Sequence, residues 1–133
     1  MPIANYFYLD YLLGSLNVLT PDEESRVGHV DPNDEIGVRS VIVEFIRPEF
    51  ERLSDDSKTR IKTSLQYFLT TQKAPFLDII RSQQDSPLDR PDQPILFFKW
   101  IWAELFPGES YLVGDLNGWT IDNRPETLQL AFR

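Results

Sequence analysis

The sequence predicts a mainly α fold of the α+β kind: a helical bundle around a buried aromatic helix at 94–106, closed by a small C-terminal antiparallel β hairpin or sheet. Three observations predict it. Nine of the twelve residues from Ile95 to Phe106 are large and apolar, and a helix apolar nearly all round belongs in an interior. Helical spacing of apolar residues recurs in several stretches before it. After Gly108 that spacing gives way to short β-prone runs separated by turn residues, among them Asn117-Gly118, a strong hairpin signal.

The first helix is expected over Ile3 to Leu16, where Ile3, Phe7, Leu9, Leu13 and Leu16 form a broad apolar stripe. Tyr6-Phe7-Tyr8-Leu9 would also suit a strand, but the pattern is too long for one. Thr20-Pro21-Asp22-Glu23-Glu24 is a helix start, with a Thr cap, Pro in the first turn and acids beside the positive end of the dipole. A short helix over 21–26 and then a loop follow from it. The next helix begins near Asn33 or Asp34 and runs to Leu53, its period carried by Val38, Val41, Ile42, Phe45, Ile46 and Leu53. Pro48 lacks the N–H of the helical ladder and should kink or split it.

Ser54-Asp55-Asp56 caps a helix through Thr71, with Ile61, Leu65, Phe68 and Leu69 on one face. Pro75 starts a short helix ending near Gln83 or Gln84. Residues 85–92 are rich in Asp, Ser and Pro and read as a loop. The aromatic helix begins at Pro94 and is stopped by Pro107-Gly108. Beyond it, Tyr111-Leu112-Val113 and Trp119-Thr120-Ile121 read as the two strands of a hairpin. The alternating run 127–132 is a third strand, with loop or helix as alternatives.

The length of 133 residues suits one domain, 1–133, able to bury roughly two-thirds of its unfolded surface. Without Cys there is no disulfide framework, thiolate nucleophile or thiolate metal site. The first residues lack the basic and apolar regions of a signal peptide, and no run of about eighteen apolar residues offers a membrane span. The expected location is therefore cytoplasmic.

Charge is unevenly distributed. Residues 1–56 hold twelve acids and four bases, and residues 57–133 hold nine of each, so the whole net charge of −8 lies in the first part. That field repels nucleic acid and anionic lipid and attracts a cationic surface. The candidate partner-binding residues are Asp22, Glu23, Glu24, Asp31, Asp34 and Glu35, around the least periodic stretch of the chain. The plainer alternative is that these acids keep an aromatic-rich protein in solution.

No catalytic residues are expected. His29 is the single histidine, a candidate general base by residue type but more simply an exposed loop residue. Metal and cofactor are expected to be none: Asp31-Pro32-Asn33-Asp34-Glu35 lacks the ligand spacing, the glycine and the closing Glu of a calcium loop. Carboxylate pairs such as Glu104 with Glu109, or Asp115 with Asp122, suit glycoside hydrolysis by type alone, and twenty-one acids make such pairs by chance. Serine-nucleophile and phosphate-loop motifs are missing.

The run Leu9-Asp10-Tyr11-Leu12-Leu13-Gly14-Ser15 resembles the L-x-x-L-L-G segment of some bacterial contact-dependent growth inhibition immunity proteins. It covers seven residues, and Leu16-Asn17-Val18-Leu19 stands where that group carries an aromatic-His-Gln-Asp run. The resemblance implies a toxin-neutralising role and transfers no functional residue. With the charge distribution, it leads to a small acidic, non-enzymatic binding protein, immunity- or antitoxin-like, that occludes a basic toxin domain, for instance a nuclease. The alternatives are a ligand-binding domain or enzyme with a pocket lined by Trp100, Trp102 and Trp119, and an oligomeric adaptor subunit.

Overall fold

The computed structural model describes residues 2–132. Its elements run β1 (Ile3–Ala4), α1 (Phe7–Leu13), a 3-10 turn (Gly14–Asn17), α2 (Pro21–Gly28), α3 (Glu35–Val41), a π-helical turn (Ile42–Ile46), α4 (Arg47–Glu51), α5 (Asp55–Thr71), α6 (Phe76–Arg81), α7 (Pro94–Leu105), β2 (Thr120–Ile121) and a 3-10 turn (Pro125–Thr127). None of these helices is long and apolar enough to cross a membrane.

The aromatic helix α7 is the centre of the bundle, touching α3, the π turn, α4, α5 and α6. Phe97, Phe98, Ile101, Trp102 and Leu105 are buried on it. They join one apolar core with Leu9, Leu13, Ile42, Ile46, Ile61, Leu65, Phe68 and Leu69. Phe98 packs its ring 5.3 Å from that of Phe76, and Trp102 sits 4.4 Å from Phe106. The Trp102 indole N–H donates to the Glu109 carbonyl at 2.7 Å, so this buried ring leaves no polar atom unanswered.

Local chemistry explains the helix ends. Glu23 N–H donates to Thr20 Oγ1 at 3.3 Å while Thr20 N–H donates to Glu23 Oε1 at 2.9 Å, a reciprocal capping box that starts α2. Ser54 accepts from Ser57 N–H at the start of α5, and Gln72 ends it in the left-handed conformation, at φ 57°. The helix expected over 34–53 is split in three by a turn that is wider than α. Arg47 N–H reaches back to Ile42 C=O. One residue later, Pro48 has no N–H to give, and its ring would crowd the Glu44 carbonyl in a regular helix; the π turn relieves both problems.

The C-terminal sheet differs from expectation. The antiparallel hairpin is absent: the only sheet among the described residues is a parallel pair, with Ile3 opposite Thr120 and Ala4 opposite Ile121. The Asn117-Gly118 turn does form, with Gly118 at φ 83° and Asn117 N–H on Asp115 Oδ1. Residues 111–113 do not become its first strand because α5 has taken their backbone. Thr70 Oγ1 donates to Tyr111 C=O at 3.1 Å and accepts from Val113 N–H at 3.2 Å. Strand β2 therefore pairs with the N-terminal segment: Thr120 N–H bonds Pro2 C=O and Asp122 N–H bonds Ala4 C=O, both at 2.9 Å. The first helix correspondingly starts at Phe7, since Ile3 and Ala4 are in β1. Residues 128–132 contribute only an isolated bridge, Leu53 to Phe132.

Asn5 locks this junction. It is 2 % exposed, its amide donates to Arg124 C=O and Thr127 Oγ1 at 2.8 Å each, and its Oδ1 accepts from Phe7 N–H at 2.9 Å. Its backbone N–H meets Ser64 Oγ on α5 at 3.1 Å.

Candidate functional site

Four of the six acids singled out by the sequence have internal duties. Glu23 closes the capping box of α2. Asp31 Oδ1 accepts from Asn33 N–H at 2.9 Å, and Asp34 Oδ2 accepts from Gly37 N–H at 3.2 Å as the cap of α3. Glu35 pairs with Arg39 at 3.1 Å. Asp22 and Glu24 are exposed and form no ion pair or side-chain hydrogen bond among the described residues. A capping carboxylate keeps its charge, so these duties fix the acids in place and do not neutralise them. Among the described residues, Glu35 alone of the six has an ion-pair partner.

The arginines explain the surplus. All four cations of residues 1–56 are engaged internally: Arg26 with Glu44, Arg39 with Glu35 and Glu104, Arg47 with Glu104, and Arg52 with Glu49. Arg26 holds Glu44 through two bonds, of 2.7 and 3.1 Å, and holds its carboxyl below the usual carboxylate range. None of these arginines forms an ion pair with Asp22, Glu24, Asp31 or Asp34, although the charge of Arg26 is felt by Asp22. The loop before α7 adds to them: Asp92 N–H donates to Asn33 Oδ1 at 2.8 Å, which ties Asp92 to the α2–α3 loop. Arg90, exposed in the same loop, is the nearest cation in sequence.

An apolar strip lies beside Glu35. Ile36, 80 % exposed, and Val43, 40 % exposed, stand one above the other along α3 and the π turn with Ser40 between them. They line a shallow depression of about 420 Å³ with Glu35, Arg39 and Glu104. An exposed apolar centre with a charged rim is the usual anatomy of a protein–protein interface.

A second, larger concavity was not anticipated. A groove of about 800 Å³ runs between α1 with its 3-10 extension and α6. Tyr6, Phe7, Tyr11 and Val18 form its apolar side, and the carboxylates Asp10, Glu49 and Asp78 stand in its lining. Its two walls are tied by polar bonds: Asp10 Oδ1 accepts from Ser82 Oγ at 3.0 Å and Gln83 Nε2 at 2.7 Å, and Asn17 Nδ2 donates to Gln83 Oε1 at 2.6 Å. Burial, with help from the Glu49 charge, pushes the Tyr11 phenol above its ordinary pKa, against a smaller opposing effect of Arg52. The signal in the sequence was weak, because the lining comes from three separated stretches. Asp10, Tyr11, Gly14 and Ser15 do fall in the run Leu9–Ser15.

The residues considered for chemistry are scattered or occupied. His29 is exposed, and its Nδ1 lies 2.5 Å from Ser25 C=O rather than on Asp31. Glu104 is bound by Arg39 and Glu109 by Lys62, while Asp115 holds the 115–117 turn and Asp122 pairs with Arg124. Trp102 is buried, and Trp119 is stacked on Tyr67 with centroids 6.1 Å apart. Neither lines the large groove, nor does Trp100. No group of three metal-ligating side chains occurs among the described residues. Comparison with protein-family models, with curated proteins and with solved structures finds no match to this chain.

Proposed function

We propose that the protein is a small acidic binding protein that neutralises a basic protein partner by covering it, as immunity proteins and antitoxins do. The supporting observation is that every arginine of the acidic part is ion-paired within the chain, while Asp22, Glu24, Asp31 and Asp34 have no ion-pair partner among the described residues, and the exposed Ile36 and Val43 lie on the helix that Asp34 caps and its extension. Such a surface attracts a cationic partner over a distance of roughly a Debye length, about 8–10 Å in ordinary salt. It then offers apolar area for close contact. The occupied Trp102 and Trp119, and carboxylates tied to arginines or turns, favour this reading over the pocket enzyme.

The test has two stages. Capture from the native host identifies a partner, and stopped-flow association is then measured against ionic strength. The expected result is a rate that falls about tenfold or more with added salt, a further fall in the variant Asp22→Lys/Glu24→Lys/Asp31→Lys, and loss of the partner's activity in the complex. Association indifferent to both salt and charge reversal would end the proposal.

A further inference from the structure

We infer that the groove between α1 and α6 is the anchoring pocket for a cationic side chain, an arginine flanked by apolar residues, on the protein partner. The inference rests on the reading of this chain as a binder of basic proteins and says where the partner's leading side chain goes. The groove is large enough, at about 800 Å³, within the span of roughly 300–1,000 Å³ seen for ligand sites. Its lining contains three carboxylates and, among the described residues, no lysine, arginine or histidine.

The carboxylates are not equally available. Glu49 already meets Arg52 at 3.1 Å. Asp10 offers Oδ1 to Ser82 and Gln83, which leaves Oδ2 without a bond among the described residues. Asp78, exposed in the first turn of α6, has no side-chain bond or ion pair among the described residues. Two carboxylates of the lining thus keep acceptor capacity to spare, and Tyr6, Phe7 and Tyr11 in the same lining are residues of the kind on which planar cations stack.

The hydroxyl of Ser15 is an unpartnered polar atom in the same wall. Its Oγ is shut off from solvent and is the one buried side-chain polar atom without a hydrogen-bond partner among the described residues. Ser15 lines this groove. Orphaned polar atoms are uncommon in folded proteins and cost free energy where they persist. As the groove stands, a guanidinium reaches it only where the wall over Ser15 yields. Gly14 beside it has no atom within 4 Å of where a Cβ would stand, so the groove wall is open there.

The probe is the tripeptide acetyl-Leu-Arg-Leu-amide, followed by backbone amide NMR, with its citrulline counterpart as the uncharged control of equal shape. The arginine peptide is expected to shift the amides of Asp10, Tyr11, Ser15 and Gln83, and the citrulline peptide to bind about tenfold more weakly or worse. Asp78→Asn should weaken the arginine peptide and leave the resting spectrum otherwise unchanged. Equal binding of the two peptides, or an Asp78→Asn variant that binds normally, overturns the inference. Shifts confined to residues 22–37 overturn it while leaving the acidic-surface reading intact. Groove binding together with salt-insensitive association of the natural partner would do the reverse.

Discussion

Arg39 Nε and Glu104 Oε1 lie 2.7 Å apart and join the middle of α3 to the C-terminal end of the aromatic helix α7. The Glu104 side chain is only 16 % exposed, and Arg47 approaches its other oxygen at 3.8 Å. Glu104 is the charge that α7 carries toward α3, so its partner sets how α3 rides on the core. The Arg39 guanidinium is more exposed, and solvent screening reduces the value of the pair.

Replacing Glu104 by Ala should destabilise the fold by about 1–2 kcal/mol, between the values for exposed and fully buried pairs. Urea unfolding checks the size, and the double variant Arg39→Ala/Glu104→Ala separates the pair from its parts. A double variant whose loss equals the sum of the two single losses would show that the residues do not couple.

Asn5→Ala should cost roughly 2 kcal/mol, because it leaves Phe7 N–H without its partner and removes the amide bonds to Arg124 C=O and Thr127 Oγ1, which keep only each other. Hydrogen exchange locates the damage: faster exchange at Thr120 and Asp122, whose N–H groups hold β2 to the N-terminal segment, with α7 amides unchanged at the level of local opening.

Removing the Ser15 hydroxyl should be tolerated. Ser15→Ala deletes a buried atom without a partner, and a change within about 1 kcal/mol of zero, or a gain, is expected from urea unfolding. A loss of roughly 2 kcal/mol would mean that the hydroxyl is bonded in solution.

Acid should weaken the Arg26–Glu44 link. The Glu44 carboxyl is held below its ordinary value of 4.5 by hydrogen bonding to Arg26. A depressed folded-state pKa gives stability that is present above the ordinary value and is lost as pH falls through the lowered one. The melting temperature of the natural chain should therefore exceed that of Glu44→Gln at neutral pH, with the gap closing in acid. A gap that is constant with pH would exclude this linkage.

Helices were legible where their signals are local. The Thr20 and Glu23 reciprocity, the Ser54 cap and the all-round apolar face of 94–105 each depend on residues within a turn or two of one another. The hairpin was misread for the opposite reason. Asn117-Gly118 specifies a turn, but which backbone then pairs with Thr120 depends on Thr70 holding residues 111–113 and on Pro2 and Ala4 arriving from the other end of the chain. The acidic candidates were chosen by charge count, which sees neither that Asp31 and Asp34 hold turns nor that Arg26 and Arg39 are paired with Glu44 and Glu104. The groove was hidden because Tyr11, Glu49 and Asp78 are brought together only by tertiary packing.

The pairing of Ile3–Ala4 with Thr120–Ile121 has a kinetic consequence. Few contacts in the molecule are more distant along the chain, and the entropy of closing so long a loop must be met before those two bonds return anything. The bundle of α5, α6 and α7 can assemble first, with the strand pair and the Asn5 junction completing last and opening first. The earliest escape of the whole chain from its native state should consequently begin at these paired ends and spare the aromatic centre.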